Sequence, residues 1–306
     1  MMNLIFRIKR KIYSKFYSPY GEILMLHRVV EERSILEDNR SLEITPAFLE
    51  QTILKYKSAD YRFVSLDEVQ KQLERGKRCY KRKFVCFTLD DGYVDNYEQA
   101  YPVFKKHNVP FAIYVTTNFP DKKALLWWYH LQDIVLENKK VKMNGVEYDC
   151  SDLEKKNNVY KKLKKIFNTD TETNRKVVEQ LFKENTGTVC RDLNRLTLSW
   201  KQILEMASDP LCTIAAHTVS HPSLPALSDE NIRKELTDGK NKIEEKIKKP
   251  VKHFAYPHGN WNNRVAILAM EQYSTAVLAY PSGFIRKGGD RLDRLNRKKL
   301  TETESD

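Results

Sequence analysis

The stretch FTLDDG, Phe87 to Gly92, ends an apolar run on two adjacent carboxylates. With the residues before it, FVCFTL from Phe84 to Leu89 is apolar on both alternating faces, the pattern of a parallel strand covered on each side. Two anions at the end of a buried strand raise each other's pKa, and burial raises both further. A positive partner should therefore sit close to Asp90 and Asp91.

Outward from this strand the same rhythm recurs. EILMLH, Glu22 to His27, reads as a buried strand, and Thr45 with Pro46 opens a helix as N-cap and first helical residue. RFVSL, Arg62 to Leu66, is a short strand whose Ser65 starts the capping-box pattern S-L-D-E, with the helix stopping near Gly76. A helix-like segment follows DDG as far as His107. FAIYV (Phe111 to Val115), TIAA (Thr213 to Ala216) and HFAY (His253 to Tyr256) are further strands. Alternating strands and helices predict a parallel sheet or barrel. Between about residues 121 and 199 the sequence turns charged and helix-rich, which predicts a helical insertion in that fold.

The chain has 306 residues, 41% of them hydrophobic, enough for one large α/β barrel or two smaller domains. Lys and Arg outnumber Asp and Glu by 53 to 41, a net charge of +12, which points to acidic partners or to a solvated basic surface. No nucleic-acid-binding motif accompanies the charge, so nucleic acid is not expected as a partner. The five cysteines are dispersed and never form C-x-x-C, which predicts neither a disulfide framework nor a thiolate zinc site and fits a reducing cytosol. Residues 1–20 interleave basic residues with Ile5, Ile8, Ile12 and Phe16 near helical spacing. They read as an amphipathic segment, either lying on an anionic membrane or packed on its own domain, rather than as a signal peptide.

HTVSH, His217 to His221, places two imidazoles four residues apart just after the TIAA strand. One turn of chain would face both rings toward a shared metal; two surface or helix-capping histidines are the plainer alternative. Placement favours the metal. Asp90 and Asp91, His217, His27 and YPHG (Tyr256 to Gly259) each lie at the end of a strand, and in a parallel barrel all these ends share one rim. Two histidines and one carboxylate leave open positions on a divalent ion, which suits a hydrolytic site, and the second carboxylate is free to act as a base. Trp127 and Trp128, early in the insertion, read as core packing or as a sugar platform.

In their order along the chain FTLDDGY, HTVSH and FAYPHG resemble the three motifs of the NodB-like polysaccharide deacetylases, carbohydrate esterase family four. MLHRV, LSWKQILEM and the late DRLDRLNR extend the similarity over most of the chain. The resemblance implies a distorted parallel (β/α) barrel, spanning residues 21–306 with the insertion, that removes acetyl groups from sugars. It implies Asp90 as general base, and Asp91, His217 and His221 as ligands of a divalent metal, usually zinc. Metal and Asp90 would activate a water, with the oxyanion met by the metal and the His258 N–H. Tyr256, Pro257 and Gly259 would line the substrate site.

The chain departs from the family's pattern in three places. Ala255 stands where many members have arginine, His258 where they have tyrosine, and no histidine follows His258. The general acid then falls to His27 or to His258, or Asp90 returns the proton it takes. Arg294 in LDRLN is expected to replace the missing arginine beside Asp90, with Arg291 and Arg297 also available.

The reading is a metal-dependent N-deacetylase acting on an acetylated carbohydrate during surface-polysaccharide assembly. Its expected place is the cytoplasm, peripheral to the inner face of the membrane, near lipid-linked or nucleotide-linked substrate. A catalytically inactive glycan-binding protein on the same fold is the alternative.

Overall fold

The computed structural model describes residues 21–75, 83–167, 171–279, 284–285 and 291–303. The amphipathic stretch 1–20, Gly76 and Cys79 lie outside them. Among the described residues nine strands form one sheet: β1 (Gly21–Leu26), β2 (Arg62–Phe63), β3 (Phe84–Leu89), β4 (Phe111–Val115), β5 (Cys212–Ala216), β6 (His253–Ala255), β7 (Thr275–Val277), β8 (Phe284–Ile285) and β9 (Lys298–Lys299). Their order is β7-β6-β5-β4-β3-β1-β8, with β2 beside β3 and β9 beside β1. The pairings are parallel except that of β8 with β1.

The sheet curls until its edges meet through the C-terminal segment. Leu295 forms a parallel bridge to Val277, donating to the Ala276 carbonyl at 2.8 Å and accepting from Leu278 N at 2.9 Å. A few residues on, β9 pairs with Leu24 and Met25 of β1, and Leu300 N donates to the Met25 carbonyl. The stretch 295–300 therefore spans from β7 to β1 and completes the distorted barrel.

Period-two alternation sorts the strand residues into two cores. Ile23, Cys86, Ala112, Tyr114, Ala215 and Ala255 belong to one buried cluster, in which the alanines leave room for larger neighbours. Leu24, Phe87, Leu89, Ile113 and Ile214 belong to the other, packed against helices. The flanking helices begin as their sequence signals dictate. In α1 (Pro46–Ser58) the Thr45 hydroxyl accepts from Phe48 N, and α2 (Leu66–Glu74) has the full Ser65/Glu68 capping box. After DDG a π-helical turn, Asn96–Ala100, leads into α3 (Tyr101–His107).

The insertion contains α4 (Trp127–Glu137), α5 (Leu153–Lys164) and α6 (Thr171–Glu184), but it is not wholly helical. Lys140–Met143 and Val146–Asp149 form an antiparallel hairpin. Its turn is Asn144-Gly145, both at positive φ (53° and 74°), a pairing that favours tight hairpins. The segment packs its own core around Leu131, Ile134, Val141, Tyr160 and Leu181. The barrel pattern resumes with α7 (Trp200–Ser208), then α8 (Asp229–Ile247) between β5 and β6, and α9 (Asn263–Met270). Among the described residues no helix is long and apolar enough to cross a membrane.

Helix α8 supports the loop after β5 at close range. A Cβ at Gly239 would stand 3.1 Å from the Thr218 carbonyl carbon and 3.2 Å from its oxygen. Helix propensity alone favours alanine by about 1 kcal/mol. Thr218, however, is held in place, because its carbonyl accepts from Thr117 N. We predict that Gly239→Ala lowers stability by about 1–2 kcal/mol, the overpacking cost exceeding the propensity gain. Urea unfolding checks this, and an unchanged or raised midpoint would show that the loop gives way.

Candidate active site and metal centre

Three of the sequence-singled residues converge. Asp91 follows β3, and its Oδ1 lies 3.3 Å from Nε2 of His217 and 3.3 Å from Nε2 of His221. The ligand atoms of all three lie within 4.8 Å of one another. The histidine segment is a bent loop rather than a helical turn, with Thr218 at φ 67° and His221 at φ 63°. Glu235 of α8 pins it by accepting from Val219 N (2.8 Å), Ser220 N (3.0 Å) and Ser220 Oγ (2.7 Å).

Hydrogen bonding shows that this trio fits a cation. His217 Nδ1 lies 2.8 Å from the Ala255 carbonyl. A carbonyl only accepts, so Nδ1 carries a proton, and in the neutral ring the Nε2 lone pair faces Asp91. Burial, with the neighbouring His258 and His217 rings, pushes the His221 pKa well down against the pull of Asp91. A neutral ring is the form a metal requires. Asp91 Oδ1 is buried without a hydrogen-bond partner. Lone pairs from two rings and a carboxylate aimed at one another repel unless a positive ion lies between them. Donors at about 2.1 Å from one tetrahedral ion stand about 3.4 Å apart, close to the two 3.3 Å separations between Asp91 and the histidines. The nitrogen and oxygen donors suit zinc or another first-row divalent ion.

Asp90 has a different environment. Its carboxylate takes a two-pronged contact from the buried Arg297, Nη1 to Oδ1 and Nη2 to Oδ2, both at 2.6 Å. Arg297 Nη1 also donates to Thr88 Oγ1 (3.1 Å), and its Nε to the Leu278 carbonyl (2.8 Å). Burial alone would raise the Asp90 pKa, but the guanidinium charge and its two hydrogen bonds outweigh burial and hold it below the usual carboxylate range. Arg297 is thus the positive partner expected for DDG, and it serves Asp90 alone; Asp91 faces the two histidines instead.

The partner of Asp90 is not Arg294. That side chain pairs with Asp293 at 2.9 Å and lies over the Trp261 ring. Alternation explains the difference: Arg294 precedes the bridge residue Leu295 and faces outward, whereas Arg297 enters the barrel. DRLDRLNR offered three arginines, and only the register of the closing segment picks one.

Around these carboxylates lies a pocket of about 300 Å³. His27 and His258, the two candidate proton donors, both line it. Burial holds His27 toward the neutral ring against the pull of Asp91 and Asp90. His258 sits at φ 58° with its ring 4.4 Å from that of His221. Of the residues expected at the substrate, Tyr256 and Gly259 line the pocket, and Pro257 is buried beside them without lining it. The Tyr256 hydroxyl is occupied, donating to the Asp293 carbonyl at 2.8 Å. Trp127 and Trp128 also form pocket wall, half-buried, with Trp127 stacked 4.2 Å from Phe167 and Trp128 Nε1 donating to Tyr93 Oη. They serve both packing and pocket.

Sequence reasoning missed one supporting residue, Arg28 of MLHRV. Its guanidinium lies against the faces of Tyr93 and Tyr129, pairs with Asp95 at 2.8 Å and donates to Tyr129 Oη. It joins the end of β1 to the DDG turn and to helix α4.

Barrel, rim and motif order together define a protein with the deacetylase-type distorted barrel. The family model described as polysaccharide deacetylase matches residues 77–277, and the chain belongs to that family. A Bacillus subtilis (strain 168) protein carrying the family's name, YxkH, is 30% identical over 93 residues; the match spans 30% of this chain and only 30% of that relative's length. Among solved structures, the Streptococcus pyogenes deacetylase PplD in complex with acetate superposes with a TM-score of 0.62 at 21% identity, covering 92% of each chain. The de-N-acetylase from Aggregatibacter actinomycetemcomitans gives 0.61 at 16% identity, over 93% of this chain and 95% of the other. IcaB from Ammonifex degensii gives 0.59 at 18%, over 93% and 94%. At these identities the structural likenesses speak for the fold.

Removing Arg297 leaves Asp90 charged and buried without a partner. Arg297→Met is therefore expected to cost about 3–5 kcal/mol. Adding Asp90→Asn should return part of that loss. A double-mutant cycle by chemical unfolding measures the coupling, and strictly additive losses would mean that the pair carries no net interaction.

Proposed function

We propose that the protein is a divalent-metal-dependent N-deacetylase of acetylated carbohydrate, acting on a sugar unit destined for a surface polysaccharide. One observation carries the reading: a buried, unpartnered Asp91 oxygen stands between two imidazole lone pairs, with a second carboxylate clamped beside it in the same pocket. Asp91, His217 and His221 would hold the ion, which when bound supplies a Lewis acid for the acetyl carbonyl and lowers the pKa of water.

The chain's own groups account for the proton traffic. Asp90, ionised and fixed in orientation by Arg297, is placed to take a proton from the attacking water. As the acyl carbon–nitrogen bond breaks, the amine must leave protonated, since an amide anion is too basic to depart. His27 and His258 face the same pocket and are the groups available to deliver that proton. The Asp91 carboxylate, committed to ion binding, stays out of proton transfer.

A biosynthetic intermediate handled on the cytoplasmic side fits the free thiols of Cys86, Cys150, Cys190 and Cys212. Contact of the basic stretch 1–20 with anionic lipid belongs to the same proposal and rests on sequence.

The zinc-loaded protein should release acetate from N-acetylated sugars. His217→Ala should lose both bound metal and acetate release, whereas Asp90→Asn keeps the metal and loses at least 100-fold in kcat. Stoichiometric metal binding without acetate from any acetylated glycan would instead favour a glycan-binding protein.

Proton donation has its own readout. With an aryl acetate, whose leaving group needs no proton, loss of the true donor should be nearly silent. With an N-acetyl sugar the same loss should cost roughly 100-fold. His27→Ala and His258→Ala compared on both substrates assign the role, and two variants equally active on the N-acetyl sugar would leave the proton with Asp90.

A further inference from the structure

The pocket that exposes Asp90 and Asp91 is also walled by two lysines from distant parts of the chain, Lys164 at the end of α5 and Lys299 in β9. Acetyl hydrolysis gives neither of them a task. Lys299 is half-buried on the closing strand, in register with Met25, and its Nζ reaches the neutral Ser41 hydroxyl at 3.1 Å. Among the described residues no carboxylate forms an ion pair with it. Lys164 pairs with Asp38 at 3.0 Å yet keeps 47% of its side chain exposed. Asp38 thus sets one negative charge against two ammonium groups on the same wall.

The other acidic groups of the pocket are already committed, Asp90 to Arg297 and Asp91 to the histidine cluster. Burial and the charge of Lys164 together hold Lys299 below the usual amine range. An ammonium partly withdrawn from water with only a hydroxyl partner is costly, and an arriving anion would relieve it. The two lysines share the pocket with the half-buried Trp128, whose ring suits a sugar. At about 300 Å³ the space lies at the lower edge of small-ligand pockets, roughly 300–1,000 Å³, and exceeds what an acetyl group alone would need.

We infer that Lys164 and Lys299 bind an anionic substituent, a phosphate or carboxylate, on the acetylated sugar, so that the substrate is a charged sugar unit rather than a neutral glycan. This rests on the deacetylase reading for its chemistry but on the lysines for its specificity.

The test uses the zinc-loaded full chain with three probes: N-acetylglucosamine, N-acetylglucosamine 1-phosphate and N-acetylmuramic acid. Calorimetric binding should favour a charged probe over the neutral one by about 10- to 100-fold, the range of one charge-assisted contact. That preference should collapse toward unity in Lys299→Met and return in Lys299→Arg, and whichever charged probe shows the larger ratio identifies the anion. Equal affinity for all three probes overturns the inference. So does a preference that survives Lys164→Met/Lys299→Met, since the metal itself would then be holding the anion. Acetate release is followed in parallel. Charge-selective binding without acetate from any probe would sink the deacetylase reading and leave the anion site standing. Acetate release with no charge preference in binding would do the reverse.

Discussion

The buried fork between Arg297 and Asp90 ties the last strand of the chain to the strand that carries the reactive carboxylates. A buried guanidinium is costly unless it is hydrogen-bonded, and each nitrogen of this one has a partner among Asp90, Thr88 and the Leu278 carbonyl. Thr88 lies on β3, Asp90 just after it, and Leu278 just after β7, the edge strand that the closing segment bridges. The same contact therefore draws the barrel's open edges together and sets the carboxylate plane of Asp90. Ala112, Ala215 and Ala255 make space inside for Arg297 and Tyr114, whose ring lies 5.5 Å from the guanidinium. Closure of the fold and orientation of the proposed base are consequences of one ion pair.

Much of this was legible in sequence because it is local. The strands announced themselves by uninterrupted apolar runs, and FVCFTL and FAIYV have in the structure the bounds read from sequence. Thr45-Pro46 and Ser65-Glu68 cap their helices as their side-chain chemistry requires. Asp91, His217 and His221 could be brought together on paper because parallel strands place their C-terminal ends on one rim.

What escaped depended on register or on longer-range packing. Choosing among Arg291, Arg294 and Arg297 requires knowing that Leu295 is the bridge to Val277, which no local pattern states. Arg28 was overlooked because its partners, Asp95 and Tyr129, lie 67 and 101 residues away. The hairpin in the insertion is a different kind of miss. Asn144-Gly145 was a readable turn signal, hidden by the lysine-rich helix α5 that follows it.

Four of the nine non-glycine residues at positive φ among the described residues stand at the site. Asp91, Thr218, His221 and His258 all adopt positive φ, at 76°, 67°, 63° and 58°. For Thr218, a β-branched residue, this conformation is a real outlier, and such geometry persists only where its surroundings over-determine it. Here they do: the Thr218 hydroxyl accepts from His221 N, its carbonyl from Thr117 N, and Gly239 lets α8 press against its backbone. The left-handed turn at Thr218 carries the chain from His217, fixed by the Ala255 carbonyl, to His221 without helical structure between them. H-x-x-x-H in this protein is therefore not a helical face. Its two rings reach Asp91 through a strained loop, and a substitution that relaxes that loop would separate the ligands even with all three side chains intact.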